Sequence, residues 1–540
     1  MPANTSSRQS SPVPDSQPIQ RPVPVWFLYT TAFVAGFVTL ALEVLGFRLL
    51  APFFGYSVYV SGTLISTVLV ALSAGYYLGG RLADRRPHLP LFFALVFAVS
   101  AYLTVIALAY QWVLVALSNM SIIAGSAAAS IVVFAPPMVL LSTATPFLVR
   151  VQVGAGSAAA VGRTVGAISA VSTVGSIAGS LLTTFLLIPA LGTRMTLIVC
   201  TAASYLLAAG YFLARRKAAV LLSAVLPILL IVAANLPVVV ESGVVYLKES
   251  VYNLVKVIRT CGMLQLRLND LRNVQSRFPD GQAQDRLMVG NYIDLMNVGP
   301  LVAQGKRVLI LGLGGGSSAN QLHGYYDATV HAVDLDPEVA RVAERYFGIK
   351  RRNPGIRVYV EDARRFVRRR GLRYDVVEID LYHGGLYVPF YVTTREFFED
   401  IRSVLAPGGV VMMNVICDGR HPRGDDLYHA VGATLADVYP SVFSLRSPRH
   451  AFNAVFVAVN GAVDLPAVKE RLASRAFVAH PDSSFDETVA HAAECIQAYT
   501  APSGVAALTD DRAPVERMTW RMLHGIAAAA PAKPSGAAPN

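Results

Sequence analysis

From Val25 to about Pro237 the chain runs as long apolar stretches separated by short polar or basic breaks, each stretch long enough to cross a bilayer as a helix. Spans are predicted near 25–50, 57–80, 89–112, 122–149, 163–190, 194–214 and 218–237, about seven in all. After Lys248 the pattern changes. Lys248 to Phe278 alternates with a period of two, broken at Cys261-Gly262 and Asn269-Asp270, which predicts a small β-hairpin subdomain; a linking helix is expected over roughly Asp285 to Pro300. From Lys306 onward short β-branched runs alternate with helical segments. Strands are predicted at Val308–Leu311, on the run ending in Asp334, and at Ile356–Val360, Tyr374–Asp380 and Val410–Asn414, with helices at Glu338–Phe347, Ala363–Arg370 and Thr393–Leu405. That alternation predicts a doubly wound, Rossmann-like parallel sheet whose ligands sit at the carboxyl ends of the strands.

The expected architecture is therefore a multi-span α-helical membrane domain followed by an α/β doubly wound domain with a small N-terminal β-hairpin subdomain. Residues 1–24, rich in Pro, Ser and Gln, read as a disordered leader, 25–240 as the membrane helices, 248–300 as the β subdomain with its linking helix, 301–526 as the nucleoside-binding domain, and 527–540 as a disordered tail.

Composition agrees with two unlike halves. At 54% hydrophobic and 15% charged residues over 540, the chain is too apolar for a soluble domain alone. The net charge of +11 does not point to nucleic acid, because many arginines flank apolar spans and the runs Lys350-Arg351-Arg352 and Arg364 to Arg370 lack interleaved aromatics. Arg81, Arg85 and Arg86, then Arg150 and Arg163, then Arg215, Arg216 and Lys217 occupy alternate loops, which places the N-terminus in the cytoplasm of a bacterial-type plasma membrane. Seven crossings would export the C-terminal half, whereas a nucleotide-like ligand made in the cytosol argues for a cytoplasmic one; the expectation is cytoplasmic. Cys200, Cys261, Cys417 and Cys495 are scattered, so no metal site and no disulfide set is expected. Gly162 with Gly166 and Gly175 with Gly179 have the spacing of close helix packing. Glu43 lies within the first span, either as a functional carboxylate or as a partner of Arg48.

The chemistry concentrates in Lys306 to Asp336. A strand, the glycines Gly312, Gly314, Gly315 and Gly316, a helix-like stretch and a second strand ending in Asp334 make half of a nucleotide-binding βαβ unit. The glycines let backbone come close to a ligand at a helix N-terminus, and the acid about 20 residues on can accept from ribose hydroxyls. Asp362 and Asp380 fall at or just beyond the ends of two further strands.

The pieces ESVY, LND with the downstream Gln275, NYIDLM, VLILGLGGG, VDLD, EDARRF, YDVVEID and LAPGG, together with LTDDRAPVE near the C-terminus, resemble the polyamine aminopropyltransferases. These are the spermidine synthases, within the class I S-adenosylmethionine-dependent methyltransferase fold, and the chain is similar to their membrane-fused branch. The resemblance implies a transferase moving an aminopropyl group from decarboxylated S-adenosylmethionine to a small amine, with release of methylthioadenosine. It implies Asp380 as the acid that takes the amine proton. It implies Asp334 on the ribose, Asp362 and Ala363 on the adenine, Gln275 beside them, and Tyr292, Asp294 and His383 near the amine. It also implies a homodimer. The chain departs from that pattern at the amine end: the glycine turn carries no acid, His383 stands where a second Asp is expected, and Tyr292-Ile293-Asp294 replaces Tyr-His-Glu. A methyltransferase using S-adenosylmethionine at the membrane therefore stays open. So does a transporter or sensor, since the loop predicted at Gly79 to Pro87 resembles the short basic loop of major facilitator transporters.

Overall fold

The computed structural model describes residues 23–55, 57–154, 161–215, 225–235, 242–269, 274–280, 291–349, 355–369, 371–382, 387–418, 425–449 and 452–529. The expected leader, save its last two residues, and nearly all of the expected tail lie outside these residues, as does His383.

Among the described residues six helices are long and apolar enough to cross a membrane: α1 (Val25–Phe54), α2 (Val58–Arg85), α3 (Leu89–Leu117), α4 (Ile122–Val153), α5 (Val161–Leu191) and α6 (Thr193–Leu213). Of the seventh expected span only an 11-residue helix, α7 (Val225–Asn235), is described. The stretch from Gly79 to Arg85, expected as part of a loop, continues α2. α1 and α5 meet through glycine. A Cβ on Gly36 would lie 2.1 Å from the Ser172 carbonyl oxygen, and one on Gly175 or Gly179 would lie 2.1 or 2.2 Å from the carbonyl oxygens of Phe33 or Phe37. The Gly175/Gly179 pair is thus a packing face. A Cβ on Gly162 or Gly166 would meet no atom of the described residues within 4 Å, so that pair makes no such contact among them. Large apolar side chains such as Val70, Trp112, Phe185 and Leu206 face outward from the bundle.

The β subdomain is a four-stranded antiparallel sheet, β1 (Val244–Glu249), β2 (Leu254–Thr260), β3 (Met263–Leu268) and β4 (Ser276–Pro279), in that order. The break read at Cys261-Gly262 is a two-residue turn with both φ positive, +49° and +71°, the kind that matches strand twist in a hairpin.

The large sheet has eight strands in the order β12-β10-β11-β9-β8-β5-β6-β7. β5 (Arg307–Leu311), β6 (Thr329–Asp334), β7 (Ile356–Val360), β8 (Tyr374–Ile379) and β9 (Leu405–Ile416) are parallel, joined by helical crossovers. The other edge differs from the all-parallel expectation: β11 (Asn453–Val459) pairs antiparallel with both β9 and β10 (Ser441–Leu445), and β12 (Ile496–Ala498) pairs antiparallel with β10. β10 and β11 are joined without a crossover helix, and a strand that returns directly to its neighbour must run antiparallel to it. β5 and β8 lie side by side while the chain leaves β5 toward β6 and leaves β8 toward β9. This reversal opens the crevice at the carboxyl ends where ligands of such sheets bind.

The long apolar helices and the β subdomain are tied together. Arg48 of α1 donates to the carbonyls of Ser250 and Val251 rather than pairing with Glu43. Glu249 Oε2 accepts from the amide and the hydroxyl of Thr193, both at 2.7 Å, and so caps the N-terminus of α6 with a negative charge.

Candidate active site

The crevice is a cleft enclosing about 1170 Å³, open mouth included, a size suited to a nucleoside with a side arm. β5 ends in the glycine turn. Gly312 has φ +100°, and a Cβ there would lie 2.2 Å from the Asp380 carbonyl oxygen, so no other residue fits between the two strand ends. Its amide donates to the Val333 carbonyl. Gly314 borders the cleft, and Ser276 at the start of β4 accepts from the Gly315 amide at 2.8 Å, which anchors the turn to the β subdomain. Gly316 does not border the cleft: at φ +78° it begins the helix Ser317–Tyr326 (α10 when α8, Tyr292–Met296, and α9, Gly299–Ala303, are counted) and packs against Ile349. Three of the sequence-predicted glycines thus shape the turn, and two of them face the ligand space.

Asp334 ends β6 across the turn. Its carboxylate accepts from the amides of Leu313 (3.2 Å) and Asp336 (2.9 Å), which fixes its direction. Burial pushes its pKa up to about 6, an effect those amides oppose. Asp336, next along, accepts from Ser250 Oγ (2.5 Å) and Asn253 Nδ2 (2.9 Å) of the β subdomain. Asp362 and Ala363 border the cleft as expected; Asp362 also caps the short helix Ala363–Val367 by accepting from the Arg365 amide. Tyr391 and Val392 lie on the same side, and the phrase LTDDRAPVE supports that wall. Asp510 binds Arg364 through two oxygens (2.8 and 2.7 Å), and Arg364 in turn donates to the Tyr391 carbonyl. Gln275 lines the cleft from the β subdomain.

At the other end Asp380, just past β8, is held at both oxygens. Asn414 of β9 donates to Oδ1 at 2.8 Å, and the Tyr292 hydroxyl donates to Oδ2 at 3.2 Å. Burial raises the Asp380 pKa, and both donors oppose the rise. The Tyr292 phenol is pushed well above its usual range by burial and by that carboxylate, so it stays a donor. Tyr382 bridges β8 to β9 through the carbonyl of Asn414 and the amide of Ile416. Asp294, expected beside the amine, is 1% exposed and does not line the cleft. Two residues along a helix point about 200° apart, so when Tyr292 reaches Asp380, Asp294 faces the other way.

Sequence reading missed several residues here. Ser276, Ser318, Asp336 and Asn414 give no signal by type. Glu378 does: it is an acid inside the buried part of the strand, Val376 to Ile379, two positions before Asp380 and therefore pointing to the same side. It is 1% exposed and borders the cleft. Six carboxyl groups border the cleft (Asp334, Asp336, Glu361, Asp362, Glu378 and Asp380), and among the described residues no Lys, Arg or His does.

Residues 292–419 match the spermine/spermidine synthase domain. A polyamine aminopropyltransferase of Vibrio vulnificus (strain CMCP6) is 30% identical over 181 residues, covering 33% of this chain and 58% of that protein. An eEF1A lysine and N-terminal methyltransferase homolog of Drosophila pseudoobscura pseudoobscura is 29% identical over 162 residues, 28% of this chain and 23% of that protein. The crystal structure of a probable spermidine synthase from Corynebacterium glutamicum ATCC 13032 shares 21% identity, covers 49% of this chain and 96% of its own, and superposes with a TM-score of 0.37. The chain spans about half the length of the curated aminopropyltransferases it matches, 58% and 43% of the two first compared. The matched stretch contains the glycine turn, Asp334, Asp362, Asp380 and Asn414.

Proposed function

We propose that the chain is a membrane-tethered aminopropyltransferase that moves the aminopropyl group of decarboxylated S-adenosylmethionine to a small amine. The observation that carries this reading is the charge of the cleft: six acids and, among the described residues, no base border it. Decarboxylated S-adenosylmethionine brings a sulfonium and an ammonium to such a surface, and a second amine brings another positive charge. S-adenosylmethionine itself would place an α-carboxylate there with no basic side chain among the described residues to meet it.

Asp334 binds the ribose hydroxyls, and Asp362 with Ala363 borders the adenine. Asp380, oriented by Asn414 and Tyr292, pairs with the acceptor ammonium and takes its proton, because only the neutral amine has a lone pair to donate. The amine nitrogen then bonds to the propyl carbon attached to sulfur. That carbon–sulfur bond breaks with its electron pair on sulfur, the sulfonium becomes a neutral thioether, and methylthioadenosine leaves. Positioning the two reactants in one cleft supplies much of the acceleration. The helices α1 to α6 hold the domain at a bilayer, and the sheet domain faces the cytosol, where the donor is made.

A second reading, methyl transfer from S-adenosylmethionine, has the named methyltransferase relative in its favour. The experiment that separates the two is incubation of the detergent-purified chain with each donor and a panel of diamines. Methylthioadenosine formed from the decarboxylated donor supports aminopropyl transfer, whereas S-adenosylhomocysteine formed from S-adenosylmethionine overturns it.

A further inference from the structure

Glu378 is a carboxyl group that the chemistry above does not use. It lies on β8 beneath the glycine turn, on the same strand face as Asp380, and borders the same cleft. Its Oε1 is enclosed and has no hydrogen-bond partner among the described residues, although a buried acceptor left without a donor is unfavourable. Its Oε2 lies 2.5 Å from Ser318 Oγ, and Ser318 Oγ also lies 2.7 Å from Asn297 Oδ1, with Asn297 oriented by its own donation to Gln321. A hydroxyl has one hydrogen, so Ser318 cannot donate along both contacts. A protonated Glu378 donating to Ser318 satisfies both. The groups that face it agree: Asp380, just past the end of its own strand, is acidic, the Tyr326 phenol of α10, pushed well above its usual range by burial, is neutral, as are Ser318, Asn297 and Gln321, and among the described residues no cation pairs with it. Burial, reinforced by the Asp380 charge, pushes its pKa up to about 8. The glycine turn above it contains no acid.

Resting on the aminopropyl-transfer reading, we propose that Glu378 is a specificity-determining residue: a neutral acid in the empty cleft that ionises when the donor's primary ammonium enters, fills its unpaired oxygen, and selects against a donor carrying an α-carboxylate. In atoms, the carboxyl proton passes to solvent as the ammonium arrives, the Glu378 side chain turns so that Oε1, enclosed in the empty cleft, meets the ligand, and one N–H of the ammonium donates to it. The donor's charge and Glu378's charge then cancel, and Asp380 is left to serve the acceptor amine. A carboxylate on the same donor carbon would stand against Glu378 and Asp380 together, without a described cation to offset it.

The test is calorimetric titration of the full-length detergent-purified protein at pH 7 in two buffers of different ionisation enthalpy. The probes are decarboxylated S-adenosylmethionine, S-adenosylmethionine and methylthioadenosine. Binding of the decarboxylated donor is expected to release close to one proton, and methylthioadenosine, which has no ammonium, close to none. In Glu378→Gln the release disappears, the decarboxylated donor binds at least tenfold more weakly, and its advantage over S-adenosylmethionine shrinks. Methylthioadenosine affinity stays the same, which shows the variant folded. In Asp380→Asn the release persists. If the wild-type protein binds the decarboxylated donor but Glu378→Gln keeps both its affinity and its proton release, the inference fails while the functional reading stands. If the wild-type protein binds methylthioadenosine and refuses the decarboxylated donor, both fail.

Discussion

Replacing Asp380 by Asn tests the base with little disturbance of its surroundings. The new amide oxygen still accepts from Asn414, and the new amide nitrogen donates to the Tyr292 oxygen, so both contacts, 2.8 and 3.2 Å in the native protein, survive in neutral form. The charge-assisted share of those bonds is lost, about 1 kcal/mol, and the relief of a buried charge whose pKa burial already raises works in the other direction. Folding and methylthioadenosine affinity should therefore be nearly unchanged. Turnover should fall by roughly 10²–10⁴, the range for loss of a positioned base, which is about 3–5 kcal/mol in the barrier. The variant's residual rate should depend on amine that arrives already neutral. With an amine pKa near 10, that fraction is about 10⁻³ at pH 7 and grows about tenfold per pH unit. The wild-type rate has its acid limb at Asp380: it falls as pH drops through a pKa lying above the ordinary aspartate range, because the protonated acid can take no proton. Methylthioadenosine release, followed by chromatography from pH 6 to 9, gives both profiles. An Asp380→Asn protein that binds methylthioadenosine normally and turns over within threefold of wild type would refute the assignment.

Asp334→Ala removes the carboxylate proposed to bind the ribose, and methylthioadenosine should bind about 10- to 100-fold more weakly by calorimetry, the loss of charged hydrogen bonds of roughly 1.5–3 kcal/mol. An unchanged affinity would place the ribose elsewhere. Glu378 holds its proton to about pH 8 when folded and to about 4.5 when unfolded, so its contribution to stability is complete below about pH 4.5 and is lost as pH rises through 8. Melting of the ligand-free protein between pH 5 and 8 should show this fall, with an upper limit of about 5 kcal/mol, and Glu378→Gln should flatten it. Arg48→Ala frees the carbonyls of Ser250 and Val251, and since Ser250 holds Asp336 at the cleft, methylthioadenosine affinity should drop several-fold while the helices remain folded by circular dichroism. Full affinity in that variant would mean the cleft keeps its shape without the membrane helices.

The nucleoside end was legible along the chain because its parts follow one another in sequence. Gly312, Gly314 and Asp334 belong to one strand-turn-helix-strand unit, and the backbone conformation that only glycine adopts easily at Gly312 leaves a mark in the residue type itself. The six long helices were legible for a similar reason, since crossing a bilayer demands a composition that nothing else in the chain shares. The antiparallel edge of the sheet was not. After Asn414 the helical and strand periods no longer alternate regularly, and although Ser447-Pro448 marks a turn before β11, a turn signal alone does not say that β11 inserts between β9 and β10. Nor was Asp294, whose exclusion from the cleft depends on which way a five-residue helix is rotated.

The amine end is where sequence and resemblance both ran short, and the structure shows why. Asp380 gains its orientation from Asn414, 34 residues away on the neighbouring strand, and from Tyr292, 88 residues before it. Glu378 acquires meaning only because β8 lies beside β5, which brings it under a glycine turn without an acid of its own. The same holds for the link to the membrane helices. Arg48 looks like an intramembrane counter-ion until the fold places Ser250 within reach, 202 residues later. From there Ser250 leads to Asp336, one step from Asp334. On the proposed reading, loss of the first helix would reach Asp334 through three hydrogen bonds, Arg48 to Ser250, Ser250 to Asp336 and Asp336 to Asp334, and this physical continuity would couple the apolar helices to the cleft.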